Sequence, residues 1–255
     1  DERVAAFMAL GIGRESGVPA VVICTSGTAA ANYLPAALEA HHSGVPLVLL
    51  TADRPPELRG IGANQTADQV GLFASLAEAG RLVGIDVPVP TEIDDDGLGP
   101  QSVLSRSWAR RAWDAATGAD GSTGTAGPVQ LNLGLREPLA GTLPSWLGER
   151  FEASKPASSP RPVNDPAVLA RGPRTVVIAG ADAGRAAEQL AHEGGWPLVA
   201  EIVSGARFGR HVVHGYRDLL REPALGGRIE RAVVFGHPTL TREVSALLSR
   251  TDVEV

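Results

Sequence analysis

At 255 residues, 44% apolar and 20% charged, the chain has the balance of a globular protein rather than a disordered or fibrous one, and its length suits two cores of roughly 100 to 150 residues. The formal charge of −6 is spread without a basic block, which argues against nucleic acid or an anionic membrane surface as partner and for small molecules. A single cysteine, Cys24, excludes an intramolecular disulfide and any cysteine-based metal cluster within one chain, in keeping with a cytoplasmic setting; no apolar run is long enough to cross a bilayer and no signal peptide opens the chain.

Apolar residues Val4, Ala5, Met8, Ala9 and Ile12 recur at helical spacing, with Asp1 to cap the first turn and Gly17 near the end. Residues 20–24 (AVVIC) form a short continuous apolar run of the kind buried on both faces of a parallel sheet. A turn, Thr25 to Thr28, leads into a helix predicted over 29–42, and residues 46–51 (PLVLLT) are a second buried strand, so strand, helix and strand make one right-handed crossover unit. A strand over 82–87, a helix around 103–116 and a strand over 128–133 follow. Residues 92–97 and 118–127, acidic or glycine-rich, read as surface loops.

Between 141 and 173 the chain turns rich in Pro, Ser and Ala, the composition of an extended connection. A second alternating series then begins: strand 175–179, helix 184–192, strand 197–203, strand 232–235, helix 242–248. The expectation is α/β throughout, as two doubly wound parallel-sheet domains at 1–140 and 174–255 with a linker over 141–173. Residues 1 and 2 lead straight into a helix and 252–255 read as a strand just begun, so both ends are expected to be cuts in a longer chain.

In open parallel sheets ligands sit at the carboxyl ends of strands, which directs attention to the segments after Cys24 and Thr51. After the first, Gly27 allows close backbone approach and a helix N-terminus offers free N–H groups, although a tight strand-to-helix turn with hydroxyl caps would look the same. After the second, Arg54 is followed by the stiffening prolines Pro55 and Pro56; it either faces a ligand or pairs with Asp53 or Glu57. His41, His42, His192, His211, His214 and His237 lack metal-ligand spacing and read as structural or surface residues, and Trp108 and Trp113 as helix packing. Glu2 by itself reads as a first-turn acid suited to the helix dipole.

The joint order is more specific than its parts. Asp1-Glu2-Arg3 opening a helix, TSGTAAAN over 25–32, LTADRPPEL over 50–58 and GANQ over 62–65 resemble the pyrimidine-binding domain of the 2-succinyl-5-enolpyruvyl-6-hydroxy-3-cyclohexene-1-carboxylate synthases, thiamine-diphosphate enzymes of menaquinone biosynthesis. The resemblance covers residues 1 to about 80, continues more loosely through 127–132 and 137–139, and fades in the second domain. Related decarboxylases and acetolactate synthases carry proline and glycine after the Ser-Gly pair, where this chain has Thr28-Ala29.

The resemblance implies that Glu2 contacts the aminopyrimidine nitrogen of thiamine diphosphate, favouring the tautomer that removes the thiazolium C2 proton, and that Ser26, Gly27, Thr28 and Asn32 line that ring. It implies two substrates, 2-oxoglutarate and isochorismate, whose carboxylates call for cations and amide donors, with Arg54 and Gln65 as candidates. In the second domain Arg242 takes a position where the family can supply another cation; Glu243 beside it departs from the paired basic residues of some relatives, and a solvated helix arginine is the alternative. The family binds Mg²⁺ and diphosphate through a Gly-Asp-Gly segment followed by asparagine. Gly118-Ala-Asp-Gly121 lacks the first glycine, so no metal ligand is assigned here and those ligands are expected in a domain absent from this chain. Sites between subunits imply at least a homodimer, and a segment without the diphosphate site is expected to be inactive alone. An acetolactate-synthase-like decarboxylase and a noncatalytic α/β binding module are the rival expectations.

Overall fold

Asp1 caps the first helix, α1 (Glu2–Ser16), its carboxylate accepting from the backbone N–H groups of Arg3 and Val4 at 3.0 and 3.1 Å. The computed structural model describes residues 1–77, 82–89, 100–119, 125–142 and 168–255, which fall in two units, Asp1–Lys155 and Pro156–Val255. Of the 141–173 connection, residues 143–167 lie outside the described residues, as do the predicted 92–97 loop and residues 120–124 of the 118–127 loop.

The first unit is a parallel sheet in the order β1 (Ala20–Cys24), β2 (Leu47–Asp53), β4 (Pro128–Gly134), β3 (Ile85–Val87). Alternate residues of its strands serve different helices, as a sheet covered on both faces requires. Leu47 and Leu49 join Ala6 and Ala9 of α1 and Ala36, Ala37 and Ala40 of α3 (Leu34–Ser43) in one core. Val48, Val129 and Leu131 face Ala112, Ala115 and Ala116 of α5 (Pro100–Thr117) in the other. Burying each leucine contributes about 1.5–3 kcal/mol. The α1 helix approaches closely because residue 13 is glycine: a Cβ there would stand 2.5 Å from the Pro46 carbonyl oxygen.

The single helix expected over 29–42 is two: α2 (Thr28–Ala31) and α3, separated at Asn32 and Tyr33. Pro35 explains the break, since it has no N–H to continue a helix from α2 but suits the first turn of a new one. The strand expected over 82–87 is confined to β3, and a short helix absent from the sequence expectation, α4 (Gln69–Leu72), follows Asp68, whose carboxylate accepts from Gly71 N at 2.9 Å.

The second unit is a parallel sheet in the order β6 (Leu198–Ala200), β5 (Thr175–Ala179), β7 (Arg231–Phe235). Val177 and Ala179 pack against Ala187 and Ala191 of α6 (Arg185–Gly194), and Val176 and Ile178 against Val244 and Leu247 of α8 (Arg242–Leu248). A further helix, α7 (Tyr216–Arg221), adds Tyr216 and Leu220 to that side. The sixth strand ends at Ala200 rather than 203 because Glu201 turns its buried carboxylate to the N–H groups of Thr239 and Leu240, both at 3.0 Å. Both units are therefore doubly wound α/β. No helix among the described residues is long and apolar enough to cross a membrane.

Candidate active site

The carboxyl ends of β1, β2 and β4 lie side by side, Cys24 opposite Thr51 and Thr51 opposite Asn132. Beyond Cys24 the chain turns through Thr25, Ser26 and Gly27 into α2. Gly27 has φ 80° and ψ −133°, a conformation costly for any side chain, and a Cβ there would meet Gln65 Cγ at 3.0 Å. Ser26 is 3% exposed; its hydroxyl donates to the Gln65 carbonyl at 2.9 Å, and the Gln65 amide donates back to the Ser26 carbonyl at 2.9 Å and to Thr25 Oγ1 at 3.0 Å. Gln65 itself holds a left-handed backbone, φ 58°. Both hydrogens of its amide are thus engaged within the turn, leaving Oε1 as the group it can offer a ligand, rather than the amide donor expected from sequence.

Glu2 is half-buried at the first position of α1. Its charge is felt by two buried groups, Cys24 at the end of β1 and Tyr33 before α3. Burial pushes the Cys24 thiol up to about 11, the Tyr33 hydroxyl that donates to its sulfur draws it back, and the Glu2 carboxylate adds to the rise. Tyr33 is likewise pushed above its ordinary value, by burial first and then by Cys24 and Glu2. The Glu2 charge therefore acts on two groups, Cys24 and Tyr33, whose burial keeps them neutral.

Thr28 is exposed at the first position of α2, and Asn32 caps its end, donating to the Thr28 carbonyl at 2.9 Å and accepting from Arg3 at 3.4 Å. Arg54 follows β2. Its backbone N–H donates to Asp53 Oδ1 at 2.7 Å and its Nε to the Asn64 carbonyl at 3.3 Å. Among the described residues its two terminal nitrogens meet no hydrogen-bond acceptor or carboxylate, so neither Asp53 nor Glu57 is their partner; Glu57 instead takes a bidentate pair from Arg136 at 2.7 and 2.9 Å. Arg242 lies in the second unit, exposed at the start of α8, while Glu243 pairs with Arg221.

Beneath these loops is a polar cluster that the sequence expectation missed. Gln69, 1% exposed, accepts from Gly27 N at 2.6 Å and donates to the Ala52 carbonyl at 2.9 Å and to Asn132 Oδ1 at 3.0 Å. Asn132, fully buried, also accepts from Thr51 at 2.9 Å and donates to Asp53 and Asp86, each at 2.8 Å. Gln130 donates to Thr51 Oγ1 at 2.7 Å and accepts from Gly84 N at 2.8 Å. Arg59 closes the cluster on Asp53 at 3.1 Å and Asp86 at 2.6 Å. Its hydrogen bond holds the Asp86 carboxyl below the usual carboxylate range against the opposing effect of burial. A cavity of about 470 Å³ opens beside it, lined by Asp53, Arg59, Thr66, Asp68 and Gln69. The signal in the sequence was β4 itself: glutamine and asparagine inside a strand that has no solvent-facing side.

Three of the resemblance's candidates, Ser26, Gly27 and Gln65, are thus brought into direct contact, with Arg54 just after β2 and Glu2 at the first position of α1. Among the described residues no group of three or more His, Cys, Asp or Glu is arranged to hold a metal ion.

Residues 1–72 match the family described as thiamine pyrophosphate enzyme, N-terminal TPP binding domain. Proteins called 2-succinyl-5-enolpyruvyl-6-hydroxy-3-cyclohexene-1-carboxylate synthase align with the whole chain, at 52% identity in Leifsonia xyli subsp. xyli and 49% in Nocardioides sp.. A protein of that name from Haloarcula marismortui is 41% identical over 83% of the chain. The alignments cover 41%, 40% and 38% of those proteins respectively, so the chain spans about two-fifths of the length of the curated relatives it matches. Taken with the parallel α/β sheet and its strand-end cluster, these matches mean that the chain belongs to the thiamine pyrophosphate enzymes, in the 2-succinyl-5-enolpyruvyl-6-hydroxy-3-cyclohexene-1-carboxylate synthase family.

Proposed function

We propose that this chain contributes the pyrimidine-binding domain, its first unit, and part of the central domain, its second, to a transferase of menaquinone biosynthesis that decarboxylates 2-oxoglutarate and adds the four-carbon succinyl unit to isochorismate. The observation that carries this is Glu2, half-buried at the first position of α1, whose first turn is tied to the end of α2 through Arg3 and Asn32, while at the start of α2 Gly27 leaves no room for a side chain.

The groups present suit an aminopyrimidine ring. Glu2 would hold a hydrogen bond and exchange a proton at a ring nitrogen, with the buried, neutral Cys24 and Tyr33 within reach of its charge. The turn over 25–28, fixed by Ser26 and Gln65, supplies the wall, with the Thr28 hydroxyl and Asn32 at its far side. Thiamine diphosphate, when bound, supplies the nucleophilic carbon that oxoacid decarboxylation needs. Arg54, with both terminal nitrogens unengaged among the described residues, receives a substrate carboxylate as a bidentate fork, assisted by Gln65 Oε1 toward a hydroxyl. Arg242, exposed at the start of α8, is the second unit's own candidate cation for a substrate carboxylate. Mg²⁺ and the diphosphate are assigned to residues outside this chain, and the working protein to a cytoplasmic homodimer or larger assembly, in which case the segment alone turns over nothing.

The test is 2-oxoglutarate decarboxylation by the full-length protein with thiamine diphosphate, Mg²⁺ and isochorismate, in wild type and Glu2→Gln. Turnover that requires isochorismate and falls by about 10²- to 10⁴-fold in the variant is expected, the range for a positioned proton-transfer group. Equal turnover in the variant, or turnover indifferent to isochorismate, overturns the assignment.

A further inference from the structure

Two loops carry the proposed chemistry: the turn at Gly27, against the cofactor, and the segment at Arg54, against a substrate. They leave different strands, yet one continuous series of hydrogen bonds joins them below the surface. Gly27 N donates to Gln69 Oε1 at 2.6 Å, Gln69 Nε2 donates to Asn132 Oδ1 at 3.0 Å, Asn132 Nδ2 donates to Asp53 Oδ2 at 2.8 Å, and Asp53 Oδ1 accepts from Arg54 N at 2.7 Å. A second path returns from Asp53 through Arg59, whose Nε also donates to the Arg54 carbonyl at 2.9 Å. Gln69 and Asn132 are 1% and 0% exposed, and both amides are engaged by protein partners.

Every hydrogen-bonding hydrogen of the two amides has an acceptor: Gln69 gives its pair to Ala52 and Asn132, and Asn132 gives its pair to Asp53 and Asp86. A buried cluster satisfied to this degree is rigid, because any displacement of one member leaves another unpaired in a low dielectric.

We propose that Gln69 and Asn132 are positioning residues that hold the cofactor-facing turn at Gly27 and the substrate-facing segment at Arg54 in one fixed register, so that disturbing either amide weakens cofactor and substrate binding together. This rests on the function proposed above and adds residues that act through others rather than on the reacting atoms.

The experiment uses the full-length protein and Gln69→Met, which keeps the volume and removes both polar atoms. Affinity for thiamine diphosphate with Mg²⁺ is measured by calorimetry, and KM for 2-oxoglutarate at saturating cofactor. Both are expected to worsen by about tenfold or more, the scale of a buried N–H left without an acceptor. A cofactor affinity within twofold of wild type overturns the role, as does a change in one quantity without the other. Gln69→Glu provides a second readout that packing alone would not move. As the neutral acid it can still accept from Gly27 and donate to Asn132 or Ala52; as the carboxylate it cannot donate. Its cofactor affinity is expected to approach wild type as pH falls and to worsen as pH rises, whereas a pH profile parallel to wild type overturns the proposal, also where Gln69→Met does not fold. Wild-type protein that binds no thiamine diphosphate would instead overturn the function itself.

Discussion

Ser26 and Gln65 are tied reciprocally, the serine hydroxyl donating to the Gln65 carbonyl and the Gln65 amide to the Ser26 carbonyl, each at 2.9 Å across 39 residues of chain. The pair fastens the GANQ segment onto the strand-end turn and keeps Gln65 in its left-handed conformation. Ser26→Ala removes one of the two bonds and is expected to lower stability by about 0.5–1.5 kcal/mol, the net contribution of a typical internal hydrogen bond. The urea midpoint with the slope unchanged is the measurement.

Gly27→Ala meets two obstacles at once: φ 80°, and a methyl group 3.0 Å from Gln65 Cγ. The cost is expected at about 1–3 kcal/mol. Because the methyl group pushes on the residue that fastens the turn, cofactor affinity falls with it. Calorimetric titration of thiamine diphosphate into wild type and variant, beside their melting temperatures, checks both.

Cys24 is expected to be inert. With its thiol raised from 9.0 to about 11, almost none is thiolate at about pH 8, and the thiolate is the reactive form. Ellman's reagent should therefore react slowly with the folded protein and at once in guanidinium. The same shift sets a sign for stability. A folded-state value above the unfolded one favours the fold fully below pH 9.0, and that contribution is lost as pH climbs toward 11.

Arg59 and Arg136 make similar ion pairs on paper and should differ sharply on removal. Arg59 serves Asp53, whose side chain is 1% exposed, whereas both members of the Arg136–Glu57 pair are about half exposed. Arg59→Met leaves a buried carboxylate without its cation and is expected to cost about 3–5 kcal/mol; Arg136→Met should leave the urea midpoint unchanged. Asp86 gives the acid dependence. Its folded value lies below the ordinary 3.8, so its contribution is whole above that value and disappears as pH falls through the folded one. The gap between wild type and Arg59→Met should accordingly narrow below about pH 4.

The parts of this fold that follow from periodicity were legible in the sequence. The runs AVVIC and PLVLLT, the helix from Asp1 to Gly17 and the second alternating series from Thr175 all have the expected type. Boundaries moved where a side chain overrode the pattern: Pro35 split one helix, and Glu201 ended a strand early by bonding to Thr239 and Leu240. At the candidate site, Ser26, Gly27, Arg54 and Gln65 lie on loops after strands, where glycine, proline and charge leave a trace. The cluster under them did not stand out, because Gln69 and Asn132 are ordinary residues whose importance comes from partners 63 residues apart in the chain. Composition and spacing do not encode that pairing. Gln65 shows the converse: its position was legible, but the engagement of its amide by Thr25 and Ser26 was not.

The closed accounting at Asn132 also constrains how such a sequence can diverge. Its side chain serves four neighbours, Thr51, Gln69, Asp53 and Asp86, so any single replacement strands several buried groups, while a compensating change at one neighbour repairs only its own bond. Drift at this position has to be concerted. Among natural homologues, residues at 51, 53, 69, 86 and 132 should change as a set.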